Sequence, residues 1–182
     1  PAPTDGHPFA IHAAVTKNPW NTDTRLAHIA LQGVELNLLD RNPLDLVFLI
    51  DTSGSMNAPD KLPLLKQSFK LLLNNLRDED TVSIVTYAGS TKVILEPTSA
   101  NNRADILRAL EVLDAGGSTS GSSGIKLAYS QASKVREEGR IGRIILATDG
   151  DFNIGITDPE NLKRMIVDQR ENGTFLSILG FG

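Results

Sequence analysis

The sequence predicts a doubly wound α/β fold, in which helices cover both faces of a mainly parallel sheet. Strand and helix patterns alternate from Leu44 to the end of the chain, and this alternation is typical of right-handed crossovers between parallel strands. Residues 46–50 are apolar without interruption, as expected of a strand buried on both faces. The pattern before residue 43 is different. We therefore expect an N-terminal extension over residues 1–42 and one main domain over residues 43–182.

The N-terminal extension is predicted to form an antiparallel β-hairpin. Apolar residues alternate with other residues from Phe9 to Val15, which is the period of a half-buried strand. A turn is expected at residues 18–23. The second extended stretch, over residues 26–38, is interrupted by Gly33, where we expect a bulge or a sharp bend.

In the main domain, helical and strand periodicities follow one another in order. The first helix is predicted between Leu62 and Leu76, with Pro63 in the first turn, where its missing N–H removes no intrahelical hydrogen bond. Further helices are predicted around residues 106–113, 120–138 and 158–173. The remaining strands are predicted at residues 82–87, 93–95, 144–147 and 174–179.

Composition excludes several classes of function. The net charge of −4 and the lack of any lysine or arginine run argue against nucleic acid as a partner. The absence of cysteine excludes thiol catalysis, disulfides and cysteine-based zinc sites. The longest apolar run, residues 46–50, is far too short to cross a bilayer, so no transmembrane segment is expected.

Oxygen-bearing side chains follow two of the buried strands. Asp51, Ser53 and Ser55 come directly after the first buried strand, and Asp149 follows the strand at residues 144–147. In open α/β sheets, ligands bind at the carboxyl ends of strands, so these groups converge if the strands are neighbours. A glycine-rich loop at residues 116–121 adds further hydroxyls. Carboxylates and hydroxyls without thiol or imidazole favour Mg²⁺, Mn²⁺ or Ca²⁺ over zinc and copper.

The pattern Asp51-x-Ser53-x-Ser55, followed by Thr119 and Asp149, resembles the metal-ion-dependent adhesion site of von Willebrand factor type A domains. All five positions are filled, in the same order and with similar spacing. The resemblance implies that the three hydroxyl groups ligate the metal and that the two carboxylates balance its charge, directly or through water. It also implies that a carboxylate of a protein partner completes the coordination.

The resemblance extends to a bacterial subset of these proteins, often predicted to be envelope-anchored lipoproteins. It implies a location at the cell envelope, in the periplasm or on the cell surface. Domains of this family usually continue with a further helix and an edge strand, so we expect these two elements to be missing here. The C-terminal edge would then self-associate or dock another subunit through Phe175, Ile178 and Phe181. The segments that carry the bacterial resemblance are residues 19–21, 61–66, 87–89, 149–153 and 179–182.

The leading prediction is therefore a non-enzymatic module that binds a protein through a divalent cation. A magnesium-dependent phosphatase or phosphotransferase of the haloacid-dehalogenase type is an alternative, although such enzymes place a second aspartate where Ser53 stands. A purely structural scaffold subunit is the third interpretation. All three histidines lie in the N-terminal extension, so a Ser/His/Asp hydrolase is poorly supported.

Overall fold

A computed structural model of the chain describes residues 2–3, 5–35, 40–116, 124–150 and 159–181. The chain divides into two compact units, Pro1–Arg41 and Asn42–Gly182. The first unit holds strands β1 (Phe9–Lys17) and β2 (Arg25–Gly33), which pair as an antiparallel hairpin. The predicted hairpin is thus confirmed. Residues 36–39, on which part of the predicted second stretch falls, lie outside the described residues.

The apolar side chains of the hairpin share one face, as the alternation predicts, but this face is not buried. Ile11 pairs with Leu31 and Ala13 pairs with Ile29, so these four residues share one face of the ribbon. Ile11, Leu31 and Ile29 are 62%, 69% and 72% exposed. The described residues of this unit form a two-stranded ribbon without a second layer of their own, which is why the half-burial expected from the sequence is not observed there.

The described part of the second unit forms a five-stranded sheet with four α-helices, which confirms the predicted α/β class. The strand order is β5-β4-β3-β6-β7, and all neighbours are parallel except the antiparallel pair β4–β5. No described helix has the length and apolar character needed to span a membrane. The elements are β3 (Leu44–Asp51), α1 (Leu62–Leu73), β4 (Thr81–Tyr87), β5 (Thr91–Ser99), α2 (Arg103–Glu111), α3 (Gly124–Lys134), β6 (Ile141–Thr148), α4 (Pro159–Glu171) and β7 (Thr174–Gly180).

The central strand β3 contributes to both layers of the core. Leu46, Phe48 and Ile50 pack with residues of α1 and α2 on one face of the sheet. Val47 and Leu49 pack with residues of α3 on the other face. None of these five side chains is more than 3% exposed. The continuous apolar run in the sequence is therefore explained by burial on both faces.

Helix α1 buries the apolar positions that its periodicity predicts. Leu62, Leu65, Phe69 and Leu73 are all buried, and the Phe69 ring stacks on a β3 phenylalanine with centroids 4.0 Å apart. A prolyl residue occupies the first turn, as expected. Several elements differ in length from their prediction: β5 extends well beyond residues 93–95, β6 begins at Ile141 rather than at residue 144, and α3 ends at Lys134 rather than near residue 138. Helix α1 ends at Leu73, three residues earlier than expected.

The strand order reverses at β3, and this reversal positions the candidate site. From β3 the chain moves outward through β4 and β5, then returns to form β6 on the opposite side of β3. The carboxyl ends of β3 and β6 are direct neighbours, with Ile50 opposite Ala147. A crevice at such a reversal is where open α/β sheets bind ligands.

A buried ion pair closes the opposite end of β3. Asp45 is 2% exposed, and the Arg140 guanidinium donates to both of its oxygens, at 2.6 Å from Nη2 to Oδ1 and 3.0 Å from Nε to Oδ2. The Thr81 hydroxyl donates to Oδ1 at 2.8 Å. The hydrogen bond to Asp45 raises the pKa of Arg140, so the guanidinium stays charged. Because its polar atoms are well paired, this charge can be buried at the base of the sheet.

Strand β7 forms one edge of the sheet. Among the described residues no strand pairs with its outer side. Phe175, Ile178 and Leu179 are 39%, 60% and 43% exposed. Phe181, in contrast, is half-buried and packs against the core that includes α1 and α2. The Phe181 N–H donates to the Thr148 carbonyl at 3.0 Å, which continues the β6–β7 pairing by one residue. The contribution of Phe181 to a contact at this edge stays a prediction.

We predict that Arg140→Met lowers the free energy of unfolding by about 3–5 kcal/mol, because it leaves the buried Asp45 carboxylate without its counter-ion. Urea denaturation followed by circular dichroism measures this change. Arg108→Met is the matched control, since Arg108 pairs with Asp105 at the surface, where the side chains are 72% and 55% exposed. The control should change stability by less than about 0.5 kcal/mol. Equal effects of the two substitutions would contradict the structural role of the buried pair.

Candidate metal centre

Asp51 ends β3 and is fully buried. Its Oδ1 accepts a hydrogen bond from the Ser53 N–H at 2.8 Å. Its Oδ2 is buried and receives no hydrogen bond of good geometry from the described part of the chain. A buried carboxylate oxygen without a donor is costly. A cation at this position would supply the missing interaction, so Asp51 fits a metal site.

Ser53 and Ser55 direct their hydroxyls toward each other. The two Oγ atoms are 3.0 Å apart, with Ser53 almost fully buried and Ser55 exposed. Ser53 immediately precedes a short 3-10 turn, Gly54–Asn57, yet its side chain caps no backbone N–H of that turn. A capping role for this hydroxyl, which is the usual reason for serine at a helix start, is therefore not observed. Both hydroxyl oxygens have lone pairs available for a ligand.

Asp149 follows the end of β6 and contacts Lys61. Its side chain is 4% exposed, and its Oδ2 is 2.9 Å from the Lys61 Nζ. Gly150 follows with φ of +107°, a backbone conformation that side chains other than glycine rarely adopt. The Gly150 N–H donates to the Thr148 hydroxyl at 3.2 Å. The chain thus turns sharply directly after the carboxylate.

Thr119, the fifth predicted ligand, lies outside the described residues and stays a prediction. The described start of its loop is tied to the end of β3, because the Gly116 N–H donates to the Thr52 carbonyl at 2.9 Å. The Thr52 N–H in turn donates to the Tyr87 carbonyl at 3.0 Å, which links β3 to β4. The loop that carries Thr119 therefore begins next to Asp51.

Two residues of this region were not predicted from the sequence. Lys61 provides the cationic partner of Asp149, and Tyr87 lies opposite Asp51 in the β3–β4 register. Burial raises the pKa of the Tyr87 phenol, and the Thr148 hydroxyl lowers it. The charge of Asp51, a hydrogen bond to its carboxylate and the charge of Asp149 raise the pKa further. The phenol therefore stays neutral. Tyr87 could have been found from the sequence, because it is the last residue of the strand predicted at residues 82–87. The end of that strand must lie beside the end of a neighbouring parallel strand.

Among the described residues, no group of three or more histidine, aspartate or glutamate side chains is arranged so that it could hold a metal ion. A cation at this end of the sheet would therefore rely on two carboxylates together with hydroxyl groups. This donor set consists entirely of oxygen, which suits hard divalent cations.

Comparison with known proteins connects this arrangement to a family. The chain is similar to the uncharacterized protein YfbK of Escherichia coli K12, with 45% identity over 175 residues, which cover 96% of this chain and 30% of YfbK. The chain thus spans less than a third of that relative's length. A cyanobacterial relative, sll0103 of Synechocystis, is 34% identical over 118 residues, and 28% of its length is covered.

Solved structures share the fold at low sequence identity. The manganese-loaded TRAP protein of Plasmodium vivax matches with a TM-score of 0.58 and 17% identity, covering 96% of this chain and 62% of TRAP. Proximal thread matrix protein 1 from the mussel byssus, described with a zinc-occupied MIDAS motif, matches with a TM-score of 0.59 and 22% identity, covering 77% of this chain and 36% of that one. The family model of the von Willebrand factor type A domain matches residues 46–151, which include the ends of both β3 and β6. This chain therefore belongs to the von Willebrand factor type A domain family.

Proposed function

We propose that this domain is a protein-binding module that depends on a divalent cation. The observation that carries the proposal is the pair of buried carboxylates at neighbouring strand ends, one of which, Asp51, has an oxygen with no hydrogen-bond donor of good geometry among the described residues. Membership of a family in which TRAP and the mussel thread protein hold manganese and zinc supports it.

The proposed roles follow from the chemistry of each side chain. Ser53, Ser55 and Thr119 provide hydroxyl ligands, while Asp51 and Asp149 neutralise the charge of the cation directly or through water. When bound, the cation supplies a Lewis-acidic position to which a carboxylate of the partner protein binds. Oxygen ligands favour Mg²⁺ or Mn²⁺, with Ca²⁺ as a further candidate. Since the mussel protein is described with zinc, Zn²⁺ belongs in the same set of tests.

The charges at the site explain why such a partner would need the cation. Asp51, Asp149 and Lys61 together carry one net negative charge, so this end of the sheet repels a carboxylate. A divalent cation would change the sum to one net positive charge. The change of sign would convert repulsion of an acidic side chain into attraction, and charge complementarity of this kind governs which partners can approach.

A binding role accounts for the site better than phosphoryl transfer. A phosphatase of the haloacid-dehalogenase type needs a second carboxylate two positions after the first, where this chain has the buried hydroxyl of Ser53. Without that carboxylate, no group at position 53 can act as a general acid or base near neutral pH. Turnover of p-nitrophenyl phosphate that requires Mg²⁺ and Asp51 would overturn the binding role in favour of catalysis.

We also propose that the whole protein acts at the cell envelope, in the periplasm or at the surface, with lipid anchoring as one mode of attachment. This location rests on the resemblance to bacterial envelope-associated members of the family. Membrane and soluble fractions of cells that express the full-length protein, probed with an antibody to this domain, test it.

We predict that the domain binds Mg²⁺ or Mn²⁺ weakly, with Kd on the order of 10⁻⁴–10⁻³ M, because only two carboxylates contribute charge. Asp51→Asn should abolish binding in isothermal titration calorimetry, since it removes the charge and keeps an oxygen that can accept from the Ser53 N–H. Asp60→Asn, at an exposed acid close in sequence, is the control and should bind as the parent does. Unchanged affinity of the Asp51 variant would place the cation elsewhere.

We predict that folding does not require the cation, because the core consists of aliphatic strands and helices rather than of metal ligands. Treatment with a chelator should leave the far-ultraviolet circular dichroism spectrum unchanged at room temperature. Saturating Mg²⁺ should raise the free energy of unfolding only by the amount that native-state binding adds, RT ln(1 + [L]/Kd), and the Tm should rise accordingly. Loss of the helical signal on chelation would contradict this prediction.

We predict that the isolated domain self-associates through the outer edge of β7, because an unpaired strand edge with exposed apolar side chains recruits further strands. Sedimentation velocity at several concentrations should show an oligomer that Ile178→Lys dissociates, since Ile178 is 60% exposed on that strand. Leu71→Lys, at a residue 68% exposed on α1, should leave the oligomer intact. A monomer at all concentrations would count against the proposal.

A further inference from the structure

The contact between Lys61 and Asp149 joins two residues that are 88 positions apart. Lys61 lies directly before α1, and its backbone is fixed on both sides: its N–H donates to the Ala58 carbonyl at 3.0 Å, and its carbonyl accepts from the Leu65 N–H at 2.9 Å. Its side chain is only 21% exposed. The ammonium group is therefore held close to the candidate metal centre by the fold.

The ion pair solves an electrostatic problem that the metal-free domain would otherwise have. Asp149 is 4% exposed, and a buried carboxylate without a counter-ion is strongly destabilising. Lys61 supplies the positive charge. The other carboxylate, Asp51, accepts the Ser53 N–H on one oxygen and interacts with the neutral Tyr87 phenol, and among the described residues it forms no ion pair. The two acids therefore differ in how they are neutralised.

The same ammonium group opposes a divalent cation. Both are positive charges that interact with Asp149, and like charges that share one carboxylate repel each other at short range. A cation that takes Asp149 as a ligand or as a charge partner must therefore displace the ammonium group. The affinity of a site that is competent for only part of the time falls in proportion to the competent fraction.

We propose that Lys61 is an internal competitor of the divalent cation: it neutralises Asp149 in the metal-free domain, and it must release this carboxylate for the cation to bind. The inference rests on the proposed metal site and adds to it the residue that sets its affinity. Lys61 thereby stabilises the folded domain in the absence of metal. It also raises the cation concentration that is needed before the domain can bind its partner. Its released ammonium group remains at the rim of the site, where it adds positive charge.

The test compares the affinity and stability of the parent domain with those of Lys61→Met. Isothermal titration with Mn²⁺ and with Mg²⁺ should show about tenfold tighter binding by Lys61→Met, as expected if the ion pair is formed roughly nine-tenths of the time. Lys61→Arg keeps the competing charge and should bind no more tightly than the parent. Lys70→Met removes the same charge at an exposed pair with Glu111, 3.4 Å away, and should leave the affinity unchanged.

Thermal unfolding separates competition from a purely structural role. Lys61→Met should lower the Tm in chelator and recover the parent's Tm at saturating Mn²⁺, because the cation then replaces the lost charge. Equal or weaker binding by Lys61→Met, or a Tm that stays equally depressed with and without Mn²⁺, would overturn the proposal. If the parent binds the cation and Lys61→Met binds it with the same affinity, the metal site is supported and the competitor role of Lys61 is rejected. Absence of binding in every variant would reject both.

Discussion

The complete burial of β3 is the constraint on which the rest of the domain depends. The strand is paired on both edges, by β4 and β6, and covered on both faces, by α1 and α2 on one side and α3 on the other. Polar side chains can therefore stand only at its ends, where Asp45 and Asp51 are found. Because strand order reverses next to β3, the end at Asp51 meets the end of β6. The burial of one strand thus determines where the charged groups of the domain collect.

The sequence predicts this arrangement well because each signal arises from a strong local requirement. A strand buried on both faces must be continuously apolar, and the start of a loop after it is then easy to locate. Asp51, Ser53, Ser55 and Asp149 were identified by that logic, and the structure brings the first three together and places Asp149 at the adjacent strand end. Helix α1 likewise follows from the spacing of its buried leucines.

What the sequence could not predict depends on contacts between distant segments. A lysine before a helix has the same local signature whether it points into solvent or toward an acid 88 residues away, so Lys61 gave no signal. The alternation in the hairpin correctly assigns residues to two faces, but periodicity does not reveal whether a second layer covers either face. Strand β5 is longer than predicted because its half-buried edge position tolerates polar residues that interrupt the apolar pattern.

The two acids of β3 have different partners, and the distance between them keeps the two ends of the domain electrostatically independent. Asp45 has a counter-ion, Arg140, whereas Asp51 accepts a backbone N–H and belongs to the proposed cation site. The six residue steps from Asp45 to Asp51 span about 20 Å of extended strand. At that separation two unit charges interact by only about 0.8 kcal/mol with an effective dielectric constant of 20. A change of charge at the Asp51 end, such as the proposed binding of a cation, would therefore leave the Asp45–Arg140 pair at the other end of the strand nearly undisturbed.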